Sequence, residues 1–195
     1  MRKPASQYSA FNSPTLNRRT LLKAGLTCMV GLALPIPGFA QLTGAVDRER
    51  SLSLVNTHTG ESLQSVVYWS GGDYLPEALA DINFLLRDHR TDQVKPIDPK
   101  LFDLLHILNN KLNNCKPFQI ISGYRSPESN RKLRQRSSGV AKKSFHLAGQ
   151  AVDIRLPGRN LAQLRRAALN IRAGGVGYYP KSNFIHVDTG PRRSW

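Results

Sequence analysis

Two short segments, far apart in this sequence, place a strong constraint on the fold because together they carry the residue types of a metal-ligand set. The segments are residues 144–154 and 184–188, and they carry His146, Asp153 and His186. Two neutral imidazoles and one carboxylate can bind zinc and leave one position open to water, which is typical of a catalytic site. With only two cysteines, the chain is excluded from the cysteine-rich zinc-finger classes.

The spacing of these residues predicts a loop followed by strands. His146 and Asp153 lie seven residues apart, whereas two ligands on one helix favour a separation of three or four. We therefore predict a loop carrying His146, a turn permitted by Gly149, and a strand carrying Asp153. A neighbouring strand would bring in His186. A chain with five histidines can show such a spacing by chance, so the spacing alone leaves a fortuitous arrangement open.

The rest of the pattern predicts an α+β domain with a mainly antiparallel sheet and helices packed on one side. Asp98 and Ser126 each precede a proline and are predicted N-caps. We predict helices at 75–90, 99–112, 127–135 and 160–171, and strands at 52–58, 63–69, 117–121 and 184–187.

The other histidines and Cys115 are interpreted as structural residues. His58, His89 and His106 do not lie at a recognisable ligand spacing, so we expect them to be packed or on the surface. Cys115 is expected to be a small apolar residue, buried or half-buried.

The first forty residues are predicted to be a twin-arginine export signal. Arg18 and Arg19 precede an apolar run of signal-peptide length, and small residues near Ala40 suit cleavage. The alternatives are an ordinary signal peptide and an uncleaved anchor; a lipoprotein signal at Cys28 is less well supported. We predict an export signal at 1–40, a linker at 41–50 and one domain at 51–195, located in the periplasm with no stable membrane span after signal removal.

The charge of the chain predicts an anionic partner. The formal net charge is +15, and the export segment carries five of the positive residues and no acidic one, so the domain stays strongly basic. An exported protein seldom meets nucleic acid, so we expect no nucleic-acid partner and favour an anionic cell-wall polymer or a membrane surface. The alternative is that the charge serves solubility alone. The basic residues between 131 and 143 either guide such a polymer or form a solvated surface.

Several motifs together resemble the M15 family of zinc D-Ala-D-Ala peptidases. They are Ser-Gly-Tyr-Arg-Ser at 122–126, Ser-x-His-x-x-Gly-x-Ala-x-Asp-Ile at 144–154, and His-Val-Asp at 186–188. Within that family the chain is most similar to the murein endopeptidase K group, over nearly the whole of the predicted domain. The resemblance implies a hedgehog- and D-Ala-D-Ala-peptidase-like zinc site on the sheet.

The resemblance also implies the roles of particular residues. His146, Asp153 and His186 would bind Zn²⁺, and Arg125 would lie near the substrate carbonyl or carboxylate, where it could stabilise an oxyanion. Several relatives carry a catalytic glutamate three residues before the second histidine, but this chain has Asn183 there. Asp188 is therefore a candidate catalytic residue, either as the base or as an acceptor that orients an imidazole.

The function implied is a zinc-dependent murein endopeptidase that hydrolyses peptide cross-links with metal-bound water as the nucleophile. A carboxypeptidase that trims stem peptides and a non-catalytic murein-binding protein remain the alternatives. The expected partner is the peptidoglycan stem peptide, and a monomer is expected. The type of cross-link, D-Ala to diaminopimelate or diaminopimelate to diaminopimelate, stays open.

Overall fold

The computed structural model describes residues 48–137 and 139–195, so the predicted export signal lies outside the described residues. The strands are β1 Glu49–Asn56, β2 Ser62–Ser70, β3 Asp73–Tyr74, β4 Phe118–Ser122, β5 Ala151–Arg155, β6 Gly175–Tyr179, β7 Phe184–Asp188 and β8 Arg193–Ser194. The helices are α1 Pro76–Leu85, α2 Pro99–Lys111, α3 Pro127–Arg136 and α4 Leu161–Ile171. None of these described helices is long and apolar enough to cross a membrane.

The eight strands form one sheet in the order β3-β2-β1-β4-β5-β7-β6-β8. Five of the neighbouring pairs are antiparallel, and β1/β4 and β6/β8 are parallel. The predicted α+β class with a mainly antiparallel sheet is therefore confirmed.

The two faces of β5 and β7 have different environments. Val152 and Ile154 of β5 belong to the hydrophobic core, to which α1, α2 and α4 also contribute buried side chains. Because side chains alternate along a strand, Asp153 points to the opposite face. Strand β7 repeats the pattern with Ile185 in the core and His186 on the other face. The sheet thus separates the helix-packed core from the candidate site.

Both predicted N-caps are confirmed. The Asp98 side chain accepts a hydrogen bond from the Lys100 N–H at 3.1 Å at the start of α2. The Ser126 hydroxyl accepts one from the Ser129 N–H at 3.1 Å at the start of α3. Each cap satisfies a backbone donor that has no partner within the helix.

Helix α1 is shorter than predicted, ending at Leu85 rather than at position 90. The residues that follow are drawn into contact with the loop after β4. The Leu86 carbonyl accepts a hydrogen bond from the Tyr124 N–H at 2.8 Å, and the Asp88 carboxylate accepts one from the Ser126 N–H at 2.7 Å. These tertiary bonds replace the last predicted turn of the helix.

Several strand residues were not predicted because their composition is unusual for strands. Strand β6 contains Gly175 and Gly177, and glycine is a weak strand former. Strand β8 has only two residues. Strand β1 begins at Glu49, so the last two residues of the predicted linker are strand, where Arg50 forms an ion pair of 2.8 Å with Asp103.

The remaining histidines lie outside the candidate site, as predicted. His58 is exposed and stacks on His89 with ring centroids 3.9 Å apart, and His106 is buried. Cys115 is exposed, which corrects the expectation that it is at least half-buried. It lies in the surface loop between α2 and β4, shortly after Asn113, whose φ of 43° marks a turn.

We expect Gly123→Ala to destabilise the domain. A Cβ at Gly123 would lie 2.3 Å from the Leu86 carbonyl oxygen, so one of two backbone segments must move. Forcing extra atoms into a packed site costs about 1–3 kcal/mol, which a urea unfolding curve would measure.

The matched control is Gly139→Ala, whose added Cβ would meet only the Ser137 hydroxyl at 3.6 Å, an ordinary contact. Equal unfolding midpoints for the two variants would contradict the close approach of Gly123 to Leu86.

Candidate metal centre

The three predicted ligands come from one turn and two adjacent strands. His146 lies in a 3₁₀ turn at Phe145–Ala148, Asp153 in β5 and His186 in β7. Asp153 and His186 are direct partners in the antiparallel register of β5 and β7. Gly149 follows the turn with a φ of 70°, in the left-handed region that glycine adopts at little cost. The predicted loop, turn and strands are all confirmed.

The ligand atoms of these residues converge on one point. His146 Nε2 lies 3.2 Å from Asp153 Oδ1 and 3.1 Å from His186 Nδ1. His186 Nδ1 lies 2.9 Å from the same Asp153 oxygen. All three side chains are buried. The cluster is therefore a compact candidate metal site.

The outer partners of the two imidazoles determine which ring nitrogens carry protons. His146 Nδ1 lies 2.7 Å from the carbonyl oxygen of Gly123, which can only accept, so this nitrogen donates. His186 Nε2 lies 2.9 Å from Asp188 Oδ2 and donates to it. In the neutral rings the inner nitrogens are then unprotonated. Two nitrogen lone pairs and a carboxylate oxygen face one another, an arrangement that a bound cation stabilises.

The pKa shifts show how the cluster is charged. Burial raises the pKa of the Asp153 carboxyl, but the two imidazoles and the Arg125 guanidinium outweigh it and hold that pKa well below its usual range. Burial lowers the pKa of His146. Burial also lowers the pKa of His186, but its hydrogen bonds to Asp153 and Asp188 outweigh this effect and raise it. Asp153 is thus an anion beside the imidazoles.

Asp188 lies on the outer side of the His186 ring and is fully buried. Its carboxylate also accepts hydrogen bonds from the N–H groups of Gly175 at 3.0 Å and Gly190 at 2.9 Å, and from Arg193 at 2.7 and 3.1 Å. Burial opposes its charge, but these donors outweigh burial and keep the pKa of Asp188 well below normal. Asp188 is therefore placed to orient His186.

Arg125 is held beside the cluster by hydrogen bonds of its guanidinium and of its backbone. Its Nε donates to the Ser122 hydroxyl at 2.9 Å, and one terminal nitrogen donates to Asp153 Oδ2 at 2.5 Å. Its backbone N–H donates to the His146 carbonyl at 3.2 Å. The guanidinium thus contacts the carboxylate oxygen that faces away from the imidazoles.

The cluster opens into a cavity of about 510 Å³. Asp153 is the one carboxylate among the described residues that line it, whereas the lining includes three cations, Arg125, Lys143 and Arg193. Two of these cations pair with aspartates, and Lys143 is exposed. The cavity wall is therefore suited to a substrate that carries negative charge.

Four other residues near the motifs differ in where they lie relative to the cavity. Ser144 lines the cavity and accepts a hydrogen bond from the His146 N–H at 3.4 Å. Gln150 and Tyr178 are not among the residues lining the cavity. Asn183 lines a different cavity and has a φ of 53°, a conformation that asparagine tolerates well. Asn183 thus neither lines the cavity of the candidate metal site nor provides a carboxylate.

Two cavity residues, Arg193 and Trp195, were given no role from the sequence. Both contact the site from the segment that contains β8. The glycines of β6 were the sequence signal for these two residues, since glycine in a strand often marks a place where another group approaches the backbone closely. A Cβ at Gly175 would lie 2.5 Å from Asp188 Oδ2, and one at Gly177 would lie 2.8 Å from the Trp195 ring.

A mainly antiparallel sheet that presents two imidazoles and a carboxylate to an open cavity is typical of metal-dependent hydrolases. The family model described as "Peptidase_M15_2: Peptidoglycan L,D-endopeptidase MepK" matches residues 44–195, and the chain belongs to this family. The resemblance inferred from the sequence motifs is thereby confirmed.

Individual relatives extend over most of the chain. The peptidoglycan L,D-endopeptidase MepK of Escherichia coli (strain K12) is 51% identical over 179 residues, covering 92% of this chain and 97% of that protein. The probable peptidoglycan L,D-endopeptidase MepK of Haemophilus influenzae is 40% identical over 184 residues, covering 92% and 95%. The crystal structure of Serratia marcescens L-Ala D-Glu endopeptidase ChiX aligns with a TM-score of 0.31 and 23% identity over 39% of this chain and 62% of that chain, a likeness too limited to bear on the fold.

We expect Asp188→Asn to weaken the binding of a divalent cation. The amide cannot accept from His186, Arg193 and two backbone N–H groups as the carboxylate does, so the His186 ring loses its fixed orientation. Loss of such an outer partner typically costs 10–100-fold in metal affinity, roughly the change expected in a competition titration with a chromophoric chelator.

Asp103→Asn is the matched control, because Asp103 pairs with Arg50 and has no contact with the cluster. An unchanged affinity in Asp188→Asn, with circular dichroism showing a folded protein, would mean that Asp188 does not orient the ligand.

Proposed function

We propose that this protein is a zinc-dependent murein endopeptidase that hydrolyses peptide cross-links of peptidoglycan in the periplasm. The observation that carries the proposal is the convergence of ligand atoms from His146, Asp153 and His186 within 3.2 Å. The alignments cover more than nine-tenths of this chain and of each relative, and the relatives' names supply the reaction and the substrate class.

The residues present fit zinc. Ligand atoms bonded to one zinc ion at about 2.0–2.2 Å with tetrahedral angles lie roughly 3.3 Å from one another. The three separations here are 2.9, 3.1 and 3.2 Å, slightly shorter than that value. Two imidazole nitrogens and one carboxylate also match the ligand set of catalytic zinc sites, and the adjoining cavity leaves room for water and substrate.

When bound, zinc would supply a Lewis acid and lower the pKa of a coordinated water to near neutrality. The chain's own residues perform the other tasks. Asp188 holds the His186 ring in its ligating orientation, and the Gly123 carbonyl does the same for His146. Arg125 keeps Asp153 charged and brings positive charge to the cavity wall, where an amide carbonyl becomes negative during hydrolysis.

The cavity supports an anionic peptide as substrate. Murein stem peptides carry free carboxylates, and the described lining offers the exposed Lys143 beside Arg125 and Arg193, which are paired with aspartates. Coulomb attraction draws such a substrate toward the site. The names of both relatives favour an L,D bond as the one that is cut, which the sequence alone left open.

The predicted division of the chain completes the proposal. Residues 1–40 would direct the folded protein to the periplasm, where murein lies, residues 41–50 would be a linker, and residues 51–195 would form one catalytic domain that works as a monomer. The family match to residues 44–195 is compatible with this division.

Replacing Arg18 and Arg19 by lysine is expected to block export, because the twin-arginine route requires the arginine pair. Cell fractionation followed by immunoblotting would show the variant retained in the cytoplasm. Lys23→Arg, which keeps the charge of the same segment, is the control. Normal export of the double variant would rule out this route.

Purified protein is expected to bind about one zinc ion per chain and to cleave cross-linked muropeptide dimers into two monomers. Removal of the metal by a chelator should abolish cleavage. The substitution His146→Ala should also abolish it, because one ligand of three is lost. Mass spectrometry of the products and elemental analysis provide the measurements.

His58→Ala is the matched control, since His58 is exposed and outside the cluster. Release of one free amino acid instead of two monomers would identify a carboxypeptidase. Binding to murein without release of fragments would identify a non-catalytic protein. Full cleavage by His146→Ala would refute the metal assignment.

A further inference from the structure

Trp195 forms part of the cavity wall directly beside the candidate metal ligands. Its ring centroid lies 5.3 Å from that of His186, with an angle of 48° between the ring planes. The side chain lines the cavity and is 48% exposed. The Arg193 guanidinium carbon lies 5.0 Å from the ring centroid, and about half of the residue stays exposed beside the cluster.

Three hydrogen bonds hold Trp195 in this position. Its backbone N–H donates to the Val176 carbonyl at 3.3 Å, and its carbonyl accepts from the Tyr178 N–H at 3.0 Å. Its indole N–H donates to the Tyr179 hydroxyl at 2.8 Å. Because the polar atom of the indole already has a partner, the exposed part of the ring is apolar.

The neighbouring strand is shaped to admit the ring. A Cβ at Gly177 would lie 2.8 Å from two ring atoms of Trp195, so a larger residue there would displace the indole. Glycine weakens a strand interior, yet β6 has one at this point. The close approach of the Trp195 ring to the Gly177 backbone indicates that the position of the ring is important.

Trp195 does not belong to the hydrophobic core. The core cluster of buried residues lies on the other face of the sheet and does not include it. The ring instead lines the cavity, whose wall also includes the aromatic side chains of Phe145 and Phe184. Apolar walls with a few polar groups are typical of ligand-binding sites, and aromatic rings provide large contact areas there.

We propose that Trp195 is a substrate-binding residue whose exposed part of the indole contacts an aliphatic segment of the substrate next to the bond that is cut. This inference rests on the proposed function. Murein cross-links run through the side chain of a diamino acid, and its methylene groups would pack on the indole while its carboxylate faces the basic part of the wall. Trp195 therefore contributes to binding of the substrate rather than to binding of the metal.

The test compares Trp195→Ala and Trp195→Phe with the wild-type holoenzyme on a purified cross-linked muropeptide dimer. Trp195→Ala should raise KM about tenfold or more with kcat changed less than about threefold, as expected when binding common to ground and transition states is lost. Trp195→Phe should restore most of the affinity. The chelator-competition titration should give the same zinc affinity for all three proteins.

A second measurement uses fluorescence. The chain has two tryptophans, Trp69 and Trp195. In a Trp69→Phe variant, which alters a residue of β2 away from the cavity lining, emission comes from Trp195. Titration of this holoenzyme with monomeric muropeptide should shift or quench the emission, and its kinetic constants should match those of the wild type.

The outcomes separate this inference from the proposed function. If the wild type does not cleave the dimer, the proposed function fails. If the wild type cleaves it and Trp195→Ala has an unchanged KM, the inference alone is overturned. A loss of zinc affinity in Trp195→Ala with unchanged KM would also overturn it, because the ring would then only support His186.

Discussion

The structure depends on hydrogen bonds that hold two imidazoles from their outer sides. The Gly123 carbonyl and the Asp188 carboxylate each accept a hydrogen bond from one ring, so the inner nitrogens of His146 and His186 keep their lone pairs. Such outer partners govern both the tautomer and the orientation of a ligand. Gly175 of β6 leaves space for one of these partners, because a Cβ there would lie 2.5 Å from Asp188 Oδ2.

One face of the sheet packs against the hydrophobic core, and the other carries the candidate site. Residues of β5 and β7 alternate between a helix-covered core and an opposite face on which Asp153 and His186 meet. The buried apolar side chains on one face hold the strands rigid, and ligands on stiff elements are positioned more accurately than ligands on loops. His146, which comes from a turn, is the exception, and its ring is fixed by the hydrogen bond to Gly123.

Local signals predicted much of the fold and the central part of the site. The caps of α2 and α3 and the strand at Asp153 follow from residue type and spacing, which are local properties, whereas the convergence of the three ligands also required the family resemblance carried by the motifs. The end of α1 depends on Leu86 and Asp88 bonding a loop nearly forty residues later in the chain, and no local pattern contains that information. Strand β6 and Trp195 were missed for the same reason, since the glycines are explained only by what packs on them.

The distance along the chain between the ligands has a mechanical consequence. His146 and His186 are separated by 40 residues, and β5, α4 and β6 lie between them. An ion bound by both His146 and His186 would close this stretch into a ring, and separating its two ends would then require breaking a coordinate bond. Loading with metal would therefore protect this stretch of the domain against proteases.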